Sequence, residues 1–254
     1  MDAETPLWEH CQHLIAGERR FQLFLTSPQL EIVHQIRFPP RHDDYMAEHG
    51  HETRRKLRRL TRKLIEQKGA RWERVTAPSQ VPKFLERLDE VFRNSWQAKT
   101  FGYRPRNTEA ERRFLTLMAE HGWLRSYVLL SDDTPIAFEL GYQYHNVLYR
   151  SDCGFSQEWA EFGPGTALLH LSIEDLFREN PPGVYDFGLG DAAYKRSLAN
   201  AQRRAASVYL ASKWFCRWLL HGQNALNRFE QSIRALFVTL RIDRLIRKIV
   251  KHQK

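Results

Sequence analysis

The chain has 254 residues, 42% of them hydrophobic and 27% charged. These proportions exclude a disordered, collagen-like or disulfide-built protein, and no apolar run reaches the ~18–20 residues of a membrane-spanning helix. Lys and Arg number 39 against 30 Asp and Glu, an excess of nine positive charges that points to phosphate-bearing partners: nucleic acid, anionic lipid or a phosphorylated cofactor.

The opening MDAETPLWEH has neither the basic nor the apolar region of a secretory leader. Cys11, Cys153 and Cys216 are odd in number and far apart, so they read as free thiols in a reducing, cytoplasmic compartment. No cysteine–histidine ligand spacing occurs, and no metal is expected.

Residues 1–20 show no clear period. FQLFL and LEIVHQIRF flank Ser27-Pro28 and predict a hairpin ended by Pro39-Pro40, so residues 1–51 are expected to form an N-terminal hairpin region. His49 and His51 lack a third ligand and read as a solvated loop. Residues 52–68 predict a helix stopped by Gly69, with Leu57, Leu60, Leu64 and Ile65 as its apolar stripe. Seven cations and no anion lie in its segment 54–63, RRKLRRLTRK. ARWERVT reads as a strand, and Phe84, Leu85, Leu88, Val91, Phe92 and Trp96 recur at helical spacing. Another helix opens at Thr108, with Glu111 completing a capping box, and stops at Gly122. WLRSYVLL, PIAFELGYQY and NVLYRSDCGF then predict a three-stranded antiparallel meander turning at Asp132-Asp133 and His145-Asn146.

EFGPGTALLHLSIEDLFREN reads as a glycine-rich turn feeding a helix. VYDFGLG is a buried strand that the intervening helix allows to lie parallel to NVLYR. GDAAYKRSLAN is a loop with a short helix, and RAASVYLAS a further strand. The rest is helical. The whole is mixed α+β: residues 52–211 form the main domain and 212–254 a basic helical extension.

Two segments carry chemistry. Gly163-Pro164-Gly165-Thr166 opens a helix after a strand, where glycine lets a ligand approach and the helix N-terminus favours an anion; pyrophosphate fits, and so does a plain tight turn. Asp186 to Lys195 places Asp186, Asp191, Tyr194 and Lys195 at and beyond a strand's C-terminal end. Asp186 alternates with apolar neighbours, so it is expected to be buried and paired with Lys195 or Arg196, as a structural lock or as part of a site. Glu139 sits in an apolar strand, as a general base with a raised pKa or on a solvated face. His170 and Cys153 read as packed groups.

With these motifs the chain resembles the CelD-like acyltransferases of the GNAT superfamily, a group named for cellulose biosynthesis and related to the FemAB peptidyltransferases. The resemblance rests on Gly163-Pro164-Gly165-Thr166 opening a long helix, on Tyr185–Asp191, on Tyr194-Lys195, and on the basic helix KLRRLTRKLIEQKGA. It spans roughly residues 52–210. It implies a GNAT fold, a mostly antiparallel mixed sheet flanked by helices, with acetyl-CoA or another acyl-CoA as co-substrate in the gap between NVLYR and VYDFG. Pyrophosphate would lie on Gly163, Pro164, Gly165 and Thr166. Tyr194 would protonate the leaving thiolate, Glu139 or Asp191 would take the nucleophile's proton, and Asp186 and Lys195 would line the acceptor side. Ala160 stands where the usual pyrophosphate signature has Gln or Arg, so another donor, aminoacyl-tRNA included, stays open.

The leading expectation is an acyltransferase acting on an amine or hydroxyl acceptor of cell-envelope or exopolysaccharide metabolism. The alternatives are a basic RNA- or tRNA-binding protein and a catalytically inactive scaffold at the membrane surface. The segment 54–68 lacks interleaved aromatics, which argues against nucleic acid. Beyond Ser232 a basic amphipathic stretch fits peripheral contact with an anionic membrane on its inner face; packing on the protein's own body is the competing reading.

Overall fold

The computed structural model describes residues 2–3, 5–17, 22–25, 30–211, 216, 218–222 and 225. The chain divides into two compact units, residues 33–202 and residues 1–32 with 203–254. In the second, helix α1 (Pro6–Gly17) precedes strand β1 (Gln22–Leu25), which pairs antiparallel with β9 (Val208–Ala211).

The expected hairpin of residues 21–38 does not form. Its second arm, β2 (Glu31–Arg37), runs antiparallel to β7 (Val184–Asp186), with Gln35 opposite Asp186. The reason lies in the strand: four consecutive residues, Val33 to Ile36, are buried. Such a strand is enclosed on both faces and belongs inside a sheet, not in a hairpin open on one side. RAASVYLAS, read as one strand, is two, β8 (Ala201–Ala205) and β9, interrupted at Ala206-Ser207.

The main sheet has seven strands in the order β3-β4-β5-β6-β7-β2-β8, where β3 is Arg71–Val75, β4 Ser126–Ser131, β5 Thr134–Tyr144 and β6 Val147–Phe155. The meander β4-β5-β6 is antiparallel as its turn residues predict; Asp132, Asp133 and His145 all take positive φ. β7 is parallel to β6. On one face Val128, Leu130, Phe138 and Leu140 pack against α4 (Val81–Arg93) and α6 (Glu109–Glu120) through Phe84, Leu88 and Leu115. On the other, Tyr127, Leu129 and Ala137 meet Leu64 of α3 (His51–Lys68) and Leu168 and Leu171 of α7 (Pro164–Arg178). A third cluster joins Ile36, Leu148, Leu169 and Tyr185 to Tyr45 of α2 (His42–Ala47) and Leu198 of α8 (Ala193–Leu198).

Helix ends follow the sequence closely. α3 stops at Gly69, whose φ of 58° is the left-handed conformation that glycine adopts without a Cβ penalty. Trp96, read with the α4 stripe, instead opens a separate short helix, α5 (Trp96–Phe101), capped by Ser95. Thr108 caps α6 by accepting the Glu111 amide at 3.2 Å. Thr108→Ala is therefore expected to lower stability by about 1 kcal/mol, read from urea denaturation, with the transition slope unchanged.

Among the described residues no helix is long and apolar enough to cross a membrane. The basic amphipathic stretch expected beyond Ser232 lies outside the described residues.

Candidate active site

β6 and β7 pair over only three residues each, Val147–Tyr149 with Val184–Asp186. β6 runs on to Phe155 while the chain after Asp186 leaves the sheet, so the two strands part from Arg150 onward. Into this gap β6 carries a register shift. Gly141 faces Arg150, yet Leu140 faces Asp152 and Glu139 faces Cys153, so Ser151 is the extra residue of a bulge. The bulge resets the side-chain alternation and puts Cys153, rather than Asp152, on the face of Arg150 and Glu139.

A buried polar chain occupies that face. Glu139 is only 2% exposed, which rules out the solvated-face reading. Its carboxylate accepts a hydrogen bond from the Tyr185 hydroxyl, and the Ser172 hydroxyl, 2.9 Å from the Leu169 carbonyl, lies 3.4 Å from both carboxylate oxygens. Arg150 Nη2 is 3.6 Å away. Burial pushes Glu139 above the usual carboxylate range, with Arg150, Tyr185 and Ser172 pulling it back. Arg150 in turn donates from Nη1 to the Tyr194 hydroxyl at 2.8 Å and lies over the Tyr194 ring at 5.4 Å. Burial raises the Tyr194 pKa to about 12, with Cys153 adding to the rise, against the pull of Arg150.

The other expected residues fall around this chain. Asp186 is buried and accepts from Gln35 Nε2 at 2.9 Å and from the Gly188 amide at 2.8 Å. Neither hydrogen-bond partner is one that the sequence suggests, although the Asp186 charge acts on Lys195. Lys195 Nζ instead donates to the carbonyls of Gly188, Leu189 and Gly190 at 3.3, 2.9 and 3.0 Å, clamping the loop after β7. Burial lowers its pKa. Arg196 pairs with Asp191, which also meets the buried His34 Nε2 at 2.9 Å. The Asp191 side chain is 53% exposed, and the His34 contact leads the interactions that lower its pKa.

At the turn before α7, both glycines have packing reasons. Gly163 has φ 61°, and a Cβ there would sit 3.2 Å from the Leu60 side chain. One at Gly165 would sit 3.3 Å from the Phe155 ring. The amides of Thr166 and Ala167 turn back onto the Gly163 carbonyl at 3.1 and 3.0 Å, leaving the Gly165 amide and the Thr166 side chain at the helix mouth. No acidic residue stands in the first turn of α7 to offset the positive end of its dipole. Beside it a pocket of about 490 Å³ is bounded by Thr166, by Tyr194 and Ser197 of α8, and by Thr53, Lys56 and Leu57 of α3.

Sequence reasoning missed Arg150, Ser172, Tyr185, His34 and Lys56. For Arg150 a signal exists: it alternates with the buried Leu148 and so shares its inward face. His49, expected in a solvated loop, is 8% exposed and packs edge-on against Tyr45 at 4.6 Å. His170 is packed, as expected.

No curated protein gives a significant sequence match. Solved structures match its fold. The C-terminal domain of a putative lysylphosphatidylglycerol synthetase from Agrobacterium fabrum superposes with a TM-score of 0.54 at 15% identity, over 90% of this chain and 70% of that one. FemX gives 0.53 at 12%, over 84% and 68%, and L-PGS from Bacillus licheniformis 0.53 at 14%, over 86% and 70%. At such identities the likeness is one of fold. The family model of the acetyltransferase (GNAT) domain matches residues 51–196, more than half of the chain, from the start of α3 into α8. The protein thus belongs to the GNAT-domain acetyltransferase family, as its α+β sheet and its motifs lead one to expect.

Proposed function

We propose that this GNAT-fold acyltransferase takes its acyl group from acyl-CoA and passes it to an amine or hydroxyl, with the donor in the pocket between α3, α8 and the first turn of α7. One observation carries the reading: Tyr194 lines that pocket while its hydroxyl accepts a hydrogen bond from a buried guanidinium, Arg150.

In this reading the Gly165 amide, Thr166 and Lys56 meet the donor's phosphates at the Gly163–Thr166 turn, helped by the α7 dipole. The acceptor attacks the thioester carbonyl directly. As the carbon–sulfur bond breaks, Tyr194 O–H donates to the departing thiolate and Arg150 steadies the charge that develops on the phenol oxygen. Tyr194 regains its proton from solvent. Of the two carboxylates, Asp191 is open to water and Glu139 is enclosed. Asp191 therefore takes the acceptor's proton, through water, and Glu139 acts as a positioning residue for Arg150. Asp186 and Lys195 hold the loop of residues 188–190 that borders the acceptor side.

Incubation with a panel of acyl-CoA esters and mixed amine and hydroxyl acceptors should release free thiol in an acceptor-dependent way. Lys56→Ala should raise the KM for the ester with little change in kcat. An absence of thiol release across the panel, with aminoacyl-tRNA consumed instead, would overturn the choice of donor.

A further inference from the structure

α3 presents a second set of residues to another cleft. This cleft, about 970 Å³, runs between α3 and α7 and is walled on the α3 side by Arg54, Arg55, Arg58, Arg59 and Arg62. Its volume is that of a small-molecule site. The charge in it is unbalanced. Glu66 stands 3.8 Å from Arg62, and Glu174 stands 3.9 Å from Arg178. Arg54, Arg55, Arg58 and Arg59 have no carboxylate within ion-pair distance among the described residues. Like charges four residues apart, at 54/58, 55/59 and 58/62, repel one another along the helix. An anion in the cleft would relieve that repulsion.

The α7 side of the cleft carries His170 and Glu174, and behind them lies His42 of α2; the three have ligand atoms within 4.8 Å of one another. The His170 ring is fixed by Thr61, whose hydroxyl is 3.2 Å from Nδ1.

Two histidines and a glutamate at these distances are also a chelating set for a divalent cation. The charge count decides against it: five arginines wall the cleft on the α3 side against Glu66 and Glu174, so a cation is repelled there and an anion is drawn in.

We propose that the α3–α7 cleft binds a small phosphate-bearing ligand, gripped by Arg54 and Arg58. The site is separate from the donor pocket, which takes Thr53, Lys56 and Leu57 from α3.

The test is calorimetric titration of the full chain with inorganic pyrophosphate, at low and at physiological salt. Pyrophosphate should bind in this cleft, more weakly as salt rises. Arg54→Ala/Arg58→Ala should weaken that binding at least about 10-fold, because charge-assisted contacts are lost. Circular dichroism confirms that the variants fold. Lys56→Ala should leave this binding intact. If Lys56→Ala abolishes it and the arginine pair does not, pyrophosphate sits in the donor pocket and the proposal is overturned. It is also overturned if zinc binds one per chain through His42 and His170 while pyrophosphate does not bind. The same holds if only tRNA or anionic vesicles bind.

Discussion

Tyr194→Phe is expected to lower kcat about 100-fold, the lower end of what a positioned general acid contributes. The change removes one oxygen. The ring stays under the Arg150 guanidinium and edge-on to Phe187, with centroids 6.2 Å apart. What is lost is the 2.8 Å hydrogen bond from Arg150, worth about 1.5 kcal/mol for a bond to a charged group at a half-buried site. Turnover should therefore fall far more than stability. KM for the acyl donor should move little, since the hydroxyl acts on the departing sulfur rather than on the bound ester. Steady-state thiol release beside a urea melt separates the two effects. Equal kcat in Tyr194→Phe and the native protein would remove Tyr194 from the chemistry.

The second large effect falls on the Glu139–Arg150 pair, and it should be asymmetric. Glu139→Gln leaves a guanidinium buried without its counter-charge. Arginine does not deprotonate, so the loss should be about 3–5 kcal/mol at any pH where the protein folds. Arg150→Met leaves a carboxyl that can escape by taking a proton. Burial already holds Glu139 above its ordinary range, and removing Arg150 takes away the strongest pull in the other direction. The folded variant then binds a proton that the unfolded chain has released, over the window between the unfolded and folded pKa values. Across that window its stability falls as pH rises, and it recovers toward acid. Urea denaturation of the two variants at mildly acid and mildly alkaline pH checks this. The deficit of Arg150→Met should shrink toward acid, whereas that of Glu139→Gln should not. A flat deficit for Arg150→Met, with that of Glu139→Gln shrinking toward alkaline pH, would mean that Glu139 is already neutral in the native protein.

Most secondary structure was legible because its signals are local. Gly69 and Thr108 mark helix ends through conformations and capping bonds made within a few residues. Asp132, Asp133 and His145-Asn146 mark turns that leave little choice but an antiparallel meander. The parallel pairing of β6 with β7 followed from the helix between them, and the glycine-rich turn and the Tyr194 segment pointed to the family. The partner of β1 was not legible. A four-residue strand carries too little pattern to choose between a neighbour in sequence and β9, far along the chain, and the burial of Val33 to Ile36 shows only in the assembled sheet. The site itself was decided by tertiary structure. A bulge at Ser151 has no period to betray it, yet it sets which side chains of β6 share a face. Whether Glu139 met water or Arg150, and whether Lys195 met Asp186 or three carbonyls, depended on groups that only the sheet and α8 bring together. Sequence fixes which residues are capable of chemistry, while burial and distance select among them, because both the pKa of a carboxyl and the reach of a hydroxyl are properties of their surroundings.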